Sequence, residues 1–198
     1  MAKLMYQGHG SFRLITANHT VMYIDPYAGN GYDVPADIIL VTHQHSDHNK
    51  LGIVPKNGGC VIYQNTMAVR GGEYKKTVIN GIKVEAVEAY NNNHARGECV
   101  GFILELDGRK VYFAGDTSKT DMMDTFAERE LDYSFLPCDG IFNMDVNEAA
   151  ECANLIKAVH SVPVHMSPGR LFDKDIAAKF KEMVPSALIL EAGAEIDL

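Results

Sequence analysis

Short segments rich in β-branched and other apolar residues predict strands in the first two thirds of the chain. They cover residues 11–15, 20–25, 37–42, 83–89, 100–106 and 109–114. The segment 37–42 contains the apolar run 38–41, which is typical of a buried strand, whereas 83–89 alternates apolar and polar residues. Asp107-Gly108 separates the last two segments and is a strong signal for a two-residue hairpin.

Helical spacing dominates the last third of the chain. Asp145 and Glu148 have the spacing of a capping box, so we predict a helix that begins after Asp145, and a second helix from about Asp173. Both carry apolar residues at i, i+4 and i+7: Ala149, Ala153 and Ile156 in the first, Ile176, Phe180 and Met183 in the second. Predicted strands at 162–166 and 187–190 alternate with these helices, which indicates an α/β or α+β fold. No Pro/Gly-rich linker divides the chain, so residues 1–198 are predicted to form a single domain.

Composition and charge exclude several classes of protein. Hydrophobic residues make up 46% of the chain, which argues against disorder. No apolar run approaches the length of about 18 residues that a membrane helix needs, and the N-terminus lacks the apolar core of a signal peptide, so we expect a cytoplasmic protein with no membrane partner. The net charge of −8 disfavours nucleic acids as partners. The four cysteines contain no CxxC pair that could form a metal knuckle.

Three histidines and an aspartate crowd into positions 43–48, directly after the predicted strand 37–42. They are His43, His45, Asp47 and His48. Neutral imidazole nitrogens and carboxylate oxygens are common metal ligands, and a buried strand that runs straight into such a cluster presents it at the edge of a sheet. Six positions supply ligands for one ion and part of a second. The sequence therefore predicts that other segments complete a metal site.

Four further residues lie at or beside the ends of predicted strands, where sheets place functional side chains. His9 lies between two early strands and His94 follows the segment 83–89 in a polar loop. Asp116 follows the segment 109–114, and His165 lies in the segment 162–166. We interpret these residues as candidates to complete the site. His19 and His160 lack such neighbours and are interpreted as ordinary surface or packed residues.

These motifs, in this order, resemble those of the metallo-β-lactamase superfamily. Its signature matches His43-Gln44-His45-Ser46-Asp47-His48, and the match continues through His94, Gly115-Asp116 and His165. The opening Gly8-His9-Gly10-Ser11-Phe12 also fits, as does Leu136-Pro137 before the capped helix. The chain looks most like the branch that contains L-ascorbate 6-phosphate lactonase and many small uncharacterised hydrolases. The resemblance implies a four-layer αββα sandwich with metals at one edge of two facing sheets.

The resemblance also implies a set of ligands for two divalent metal ions. His43, His45 and His94 would bind the first ion; Asp47, His48 and His165 would bind the second; and Asp116 would bridge both. Zinc is the default metal for such ligands, with manganese, iron or nickel as alternatives where carboxylates join imidazoles. The sequence leaves the metal and the oligomeric state open.

This arrangement predicts a metal-dependent hydrolase. A hydroxide shared by the two metals would attack a small, anionic ester, lactone or phosphodiester. Asp47 is predicted to shuttle protons as well as to bind metal, and His9 to donate a hydrogen bond to the substrate. Arg96 and Arg170 follow His94 and His165 by two and five positions, so we predict that they bind an anionic group of the substrate.

Three alternatives remain open at this point. Nuclease or RNA-processing members of the superfamily share the motif, but the chain leaves no room for their large substrate-covering insertions. Di-iron redox members usually carry Glu where this chain has His45, and they add a flavin domain. Non-catalytic relatives typically lose metal ligands, whereas all of the expected ligands are present here.

Overall fold

Two six-stranded sheets form the body of the structure. The computed structural model describes residues 1–198. The strands, in chain order, are β1 (Lys3–Gly8), β2 (Ser11–Ile15), β3 (Val21–Ile24), β4 (Ala36–Val41), β5 (Lys56–Gln64), β6 (Val69–Arg70), β7 (Glu73–Tyr74), β8 (Lys76–Ile79), β9 (Ile82–Asn91), β10 (His94–Leu106), β11 (Arg109–Phe113), β12 (Tyr133–Pro137), β13 (His160–Val164) and β14 (Glu195–Asp197). The helices are α1 (Asn65–Ala68), α2 (Val146–Ile156) and α3 (Lys174–Met183), with 3₁₀ turns at Leu51–Ile53 and Asp121–Arg129.

The two sheets share one construction. The first has the order β14-β1-β2-β3-β4-β5 and the second has the order β13-β12-β11-β10-β9-β8. In each sheet, antiparallel hairpin strands are followed along the chain by two parallel pairings, β3–β4–β5 in the first and β11–β12–β13 in the second. Parallel strands end at the same edge of a sheet, so the segments after β4, β11 and β13 emerge where a site can be assembled.

The main core lies between the sheets. Phe12 of the first sheet packs edge-on against Phe113 and Phe135 of the second, with ring centroids 4.8 and 4.7 Å apart. These rings belong to a cluster of 27 buried residues that draws on both sheets. The alternation of each strand sends its other side chains to the outer faces. The sheets are therefore held face to face by apolar burial.

Helices cover the outer face of only one sheet. Residues of α2 and α3, such as Ala153 and Phe180, share a buried cluster with Tyr112 and Leu136 of the second sheet. The outer face of the first sheet carries a smaller cluster, in which Val54 covers Tyr23 and Ile39. The predicted sandwich is confirmed, but the helical layer on the first sheet is reduced to loops and a three-residue 3₁₀ turn. No helix in the structure combines the length and apolar character needed to cross a membrane.

Local signals correctly predicted several element boundaries. Asp107 and Gly108 both have positive φ, 47° and 79°, as the hairpin turn between β10 and β11 requires. The Asp145 side chain caps α2 by accepting the N–H groups of Asn147 and Glu148, and Asp173 caps α3 in the same way. The reciprocal half of the predicted capping box does not form, because the Glu148 carboxylate accepts the N–H of Lys119 instead.

One predicted strand was wrong, and several observed strands, including β5, β8, β12 and β14, were not predicted. Segment 187–190 forms no strand, because its pairing with β13 is confined to a single bridge between Ser161 and Ala187. Strand β12 was missed: all five of its residues are buried, so the segment shows no alternation, and it is too short to stand out as an apolar run.

Candidate metal centre

Seven predicted ligands and His9 meet at one edge of the sandwich. His43, His45, Asp47 and His48 follow β4; His94 begins β10; Asp116 follows β11; and His165 follows β13 directly. His9 lies in the turn between β1 and β2. Most of these side chains are buried, whereas His45 is exposed and Asp47 is half-buried. The structure therefore brings together side chains that are up to 156 positions apart, His9 and His165.

The backbone at this edge adopts conformations that most residues avoid. His9, Asp25 and His165 have φ values of 57°, 46° and 46°. The His9 carbonyl accepts hydrogen bonds from the His165 N–H at 2.8 Å and from the Tyr6 hydroxyl at 2.9 Å, which stabilises two of these turns. Strained backbone of this kind is common where a fold positions functional side chains.

A glycine allows Asp116 to enter the centre. Gly115 has a φ of 65°, and a Cβ at this position would lie 2.7 Å from the carbonyl oxygen of Val100 in β10. Any side chain here would push the 114–116 segment away from the neighbouring strand. Gly115 therefore sets the path of the chain that carries the Asp116 carboxylate.

We define the first group as His43, His45 and His94. The His45 Nδ1 lies 3.1 Å from the Nε2 of His43 and 3.1 Å from the Nε2 of His94. The Nδ1 of His94 lies 3.0 Å from the Asn91 Oδ1, an acceptor, so it carries the proton and its Nε2 keeps a lone pair. The separations are close to the ~3.3 Å edge of a tetrahedral site with zinc–nitrogen bonds of ~2.05 Å.

The proton on His43 is placed by a chain of hydrogen bonds. The Thr42 hydroxyl donates to the Asp25 Oδ2 at 2.6 Å, so its oxygen accepts the Nδ1–H of His43 at 3.0 Å. The Nε2 of His43 is then left unprotonated. All three members of the first group therefore present a ligand nitrogen to one point.

We define the second group as Asp47, His48 and His165. The Nδ1 of His48 lies 2.9 Å from the Asp25 Oδ2, and the Nδ1 of His165 lies 2.8 Å from the Asp139 Oδ2. These buried carboxylates fix both rings with Nε2 directed to the centre. The Asp47 Oδ2 lies 3.8 Å from the His165 Nε2.

Asp116 lies between the two groups. Its Oδ1 is 3.3 Å from the His48 Nε2. Its Oδ2 is 3.6, 3.7 and 3.9 Å from the Nε2 atoms of His165, His94 and His43. One carboxylate thus offers an oxygen to each group, which is the arrangement expected of a bridging ligand.

The donor set fits a cation rather than an internal network of hydrogen bonds. His48 Nε2, His165 Nε2 and Asp116 Oδ1 are buried and have no hydrogen-bond partner. The ion-pair distance between His48 and Asp116 is short enough for a hydrogen bond, but the two groups are not aligned for one. Leaving buried polar atoms unpaired is costly, and divalent ions among these atoms would satisfy all three.

Burial and charge lower the pKa values of His43 and His94 in the first group and raise those of His48 and His165 in the second. Burial, reinforced by the positive charge of His48, lowers the pKa of His43 to about 2, and burial also lowers the pKa of His94. Burial likewise opposes the charged form of His165, but Asp116 and Asp139 outweigh it and raise the pKa of His165 to about 10. The pKa of Asp116 is lowered by the surrounding histidines against the opposing effect of burial. The carboxylate at the centre is therefore ionised and attracts cations.

His9 lies behind Asp47 and is fully buried. Its Nε2 is 3.3 Å from the Asp47 Oδ2 and its Nδ1 is 3.1 Å from the Arg170 carbonyl oxygen. Both nitrogens therefore have protein partners, and the ring lies behind Asp47 and His165, with its centroid 3.7 Å from that of the His165 ring. The predicted catalytic role of His9 and its predicted hydrogen bond to substrate both stay predictions.

The two arginines predicted to bind substrate have other partners. The Arg96 guanidinium lies over the Tyr90 ring, 4.5 Å from its centroid, and 3.4 Å from the Glu88 carboxylate. Arg170 is exposed and lies 3.4 Å from the Asp173 carboxylate. Neither guanidinium contacts the ligand cluster, so their substrate-binding role stays a prediction.

Sequence reasoning missed four residues that hold the ligands: Asp25, Thr42, Asn91 and Asp139. Asp25 ends the predicted strand 20–25, which is the same signal that identified Asp116. Asn91 lies in the polar loop that drew attention to His94. For Asp139 the sequence offers only the turn signal Asp139-Gly140. Its partner His165 is 26 positions away, so no local pattern links the two residues.

Comparisons with known proteins agree with this geometry. Residues 3–165 match the family described as the β-lactamase superfamily domain. A UPF0173 metal-dependent hydrolase from Thermococcus kodakarensis is 31% identical over 227 residues, covering 100% of both chains. A relative of the same name from Thermococcus onnurineus is 28% identical over 227 residues, again covering 100% of both.

The solved structure of Igni18, a metallo hydrolase from Ignicoccus hospitalis, shares the fold. It has a TM-score of 0.78 and 20% identity, covering 98% of this chain and 97% of the other. The family match spans most of the chain, and the relative from Thermococcus kodakarensis matches it from end to end. The chain therefore belongs to the metallo-β-lactamase superfamily and, with these relatives, to its metal-dependent hydrolases.

Proposed function

We propose that this protein is a dinuclear hydrolase that cleaves a small, anionic ester, lactone or phosphodiester. The observation that carries the proposal is the position of Asp116, with Oδ1 beside the second group and Oδ2 within 3.9 Å of both groups. The six donor atoms do not converge on one point, because those of His43, His45 and His94 lie together in one cluster and those of Asp47, His48 and His165 lie together in another. The shared carboxylate therefore supports two ions.

Zinc is the metal that we propose. The first group consists only of imidazoles, which suit zinc, whereas the carboxylates of the second group also suit manganese or iron, and nickel is a further alternative. When bound, the ions would lower the pKa of a water molecule and polarise the bond to be hydrolysed.

The side chains around the ions hold protons in defined places. Asp25 and Asp139 accept the Nδ1–H groups of His48 and His165 and so direct both Nε2 atoms to the centre, where a bound metal would take the place of the Nε2 proton. His9 donates its Nδ1–H to the Arg170 carbonyl, so a proton is needed between its Nε2 and the Asp47 Oδ2, 3.3 Å apart. We propose that this pair, in which Asp47 is partly exposed, moves a proton during hydrolysis.

The size and charge of the site support a small anion as the partner. An open cavity of about 240 Å³ contains Asp47, Asp116 and His165 in its lining. Divalent ions there would attract an anion despite the net charge of −8, which disfavours long nucleic acids. Arg96 and Arg170 remain proposed anchors for the anionic group of the substrate.

Metal content and hydrolysis together test the proposal. Protein purified without chelator is expected to carry close to two ions per chain, measured by plasma emission spectrometry, and to hydrolyse members of a panel of phosphorylated lactones, cyclic phosphates and esters. Asp116→Ala should lose at least one ion and more than about 100-fold in kcat/KM, since removal of a metal-binding group removes transition-state stabilisation. Asp124→Ala, at an exposed position on a 3₁₀ turn, is the matched control and should keep both.

Two outcomes would overturn the proposal. One ion per wild-type chain, unchanged in Asp116→Ala, would contradict the dinuclear site. Efficient cleavage of long RNA without activity on any small anion would contradict the substrate class and support a nuclease.

A further inference from the structure

An exposed aromatic side chain lies at the mouth of the metal centre. Phe142 is 46% exposed and is the only aromatic residue among the exposed large hydrophobic residues of the chain. It lines the cavity that also contains Asp47, Asp116 and His165, and it is the only hydrophobic residue in that lining. The cavity therefore has a single apolar wall, beside the ligand atoms.

Hydrogen bonds fix the backbone of this wall on both sides. The Phe142 N–H donates to the Asp139 Oδ1 at 2.7 Å. The Phe142 carbonyl accepts from the Asn91 Nδ2 at 2.8 Å and from the Asn93 Nδ2 at 3.1 Å. Asp139 also holds His165, and Asn91 also holds His94, so the same side chains position the wall and one ligand of each group. The loop is ordered before any ligand arrives, which reduces the entropy lost on binding.

The Phe142 side chain belongs to none of the buried hydrophobic clusters of the fold. The hydrogen bonds that shape the loop use the backbone of residues 141–143 and the side chains of Asp139 and Asn143, and none of them involves the Phe142 side chain. Phe142 leaves nearly half of its surface in water, where apolar area is unfavourable. An aromatic ring in a mostly polar ligand cavity is typical of a surface that a ligand covers.

We propose that Phe142 forms an apolar subsite for the group attached to the hydrolysed bond. The substrate would carry a short hydrocarbon chain or an aromatic ring beside its ester, lactone or phosphodiester group. This inference rests on the proposed hydrolase function and narrows its substrate class. The polar side of the cavity would hold the reacting group, and the Phe142 ring would cover the apolar part.

Binding of straight-chain carboxylates tests the subsite without any reaction. Acetate, butyrate and hexanoate share one anionic group, so isothermal titration calorimetry on zinc-loaded protein isolates the contribution of the chain. We expect affinity to rise about twofold per CH₂ group, which is roughly half the effect of complete burial because the wall covers one side. In Phe142→Ala the total rise from acetate to hexanoate should fall from about 15-fold to below about threefold.

Matched variants separate the subsite from general effects. Phe142→Leu keeps an apolar side chain and should retain most of the chain-length dependence. Val78→Ala removes an exposed hydrophobic residue that is not in this cavity and should change nothing. Metal content and melting temperature equal to wild type confirm that each variant is folded and loaded.

A fluorescent variant gives a second readout. The chain contains no tryptophan, so Phe142→Trp introduces a single reporter at the proposed subsite. Its emission should move to shorter wavelength with hexanoate and remain unchanged with acetate, because only the longer chain shields the indole from water.

The outcomes for the subsite and for the hydrolase function can be distinguished. Equal affinity for acetate and hexanoate in the wild type, no hexanoate binding to zinc-loaded protein, or the same chain-length dependence in Phe142→Ala would each overturn the subsite. If esters are hydrolysed in any of these cases, the hydrolase proposal stands alone. If hexanoate binding depends on Phe142 but no ester, lactone or phosphodiester is hydrolysed, the subsite stands and the hydrolase proposal is wrong.

Discussion

The first and second groups of ligands share one sheet edge but are held by different chemistry. In the first group, His94 donates to the neutral amide of Asn91, and His43 donates to the hydroxyl of Thr42. In the second group, His48 and His165 donate directly to the buried carboxylates of Asp25 and Asp139. Access does not separate the groups in the same way, because each has two buried histidines and one more accessible ligand, exposed His45 in the first and half-buried Asp47 in the second.

This difference indicates how the two ions would be held. A carboxylate partner increases the basicity of an imidazole ligand and resists its reorientation more strongly than a neutral partner does. The second group should therefore bind its ion more tightly, and the first group should exchange its ion more readily. Asp25 connects the groups, since it also accepts the Thr42 hydroxyl that holds His43.

Metal removal should have the largest effect on the molecule as a whole. Each group joins residues that follow the first sheet to residues of the second, so bound ions stabilise the sandwich by mass action. At a free ion concentration 100 times Kd, each ion should raise the melting temperature by about 5–10 °C. Chelation followed by scanning calorimetry should reverse this increase.

Single-ligand variants sharpen that measurement. His45→Ala removes an exposed ligand of the first group, and Asp47→Ala removes a half-buried ligand of the second, so neither leaves a large buried cavity. In each variant, chelation should lower the melting temperature by about half as much as it does in the wild type. A melting temperature that does not change after verified metal removal would mean that the ions do not join the sheets.

Replacement of Asp139 should weaken the second group selectively. Asp139 accepts the His165 Nδ1–H with Oδ2 and three backbone N–H groups with Oδ1. In Asp139→Asn one of these oxygens becomes an NH₂ group, so one set of donors loses its acceptor. We expect metal affinity to fall about 10–100-fold, measured by chelator competition in a His45→Ala background that isolates the second group.

Asp145→Asn provides the control for this substitution. Asp145 lies near the same loop and also accepts backbone N–H groups, but it caps α2 and does not contact His165. Asparagine is an equally good N-cap, so metal affinity should not change. Equal weakening in both variants, or no weakening in Asp139→Asn, would contradict the role of the buried carboxylate.

The same contrast explains what the sequence could predict. The ligand side chains lie at or beside the ends of strands, and strand ends can be located from apolar patterning and from a cluster as dense as residues 43–48. Asp139 could not be identified in this way, because its partner is set by how two distant loops fold together. Segment 187–190 is the opposite case, a predicted strand that does not form. Its apolar residues pack beside β13, but a single bridge takes the place of a ladder of hydrogen bonds.

The smallest expected effect comes from changing the partner of His94. Asn91→Asp would give the first group a carboxylate partner like those of the second, so its metal affinity should rise a few-fold, by about 0.5–1 kcal/mol for a hydrogen bond that gains charge. Asn91→Ala removes the acceptor and should lower the affinity by a similar amount. The carbonyl of Phe142 loses one donor in both variants, while Asn93 still donates to it. Asn91→Ala also removes the acceptor of the Asn93 and His94 N–H groups, which Asn91→Asp keeps. Chelator competition in an Asp47→Ala background would isolate the first group. Opposite signs for the two substitutions would show that the charge of the partner distinguishes the groups, whereas equal losses would mean that the amide geometry of Asn91 alone sets the affinity.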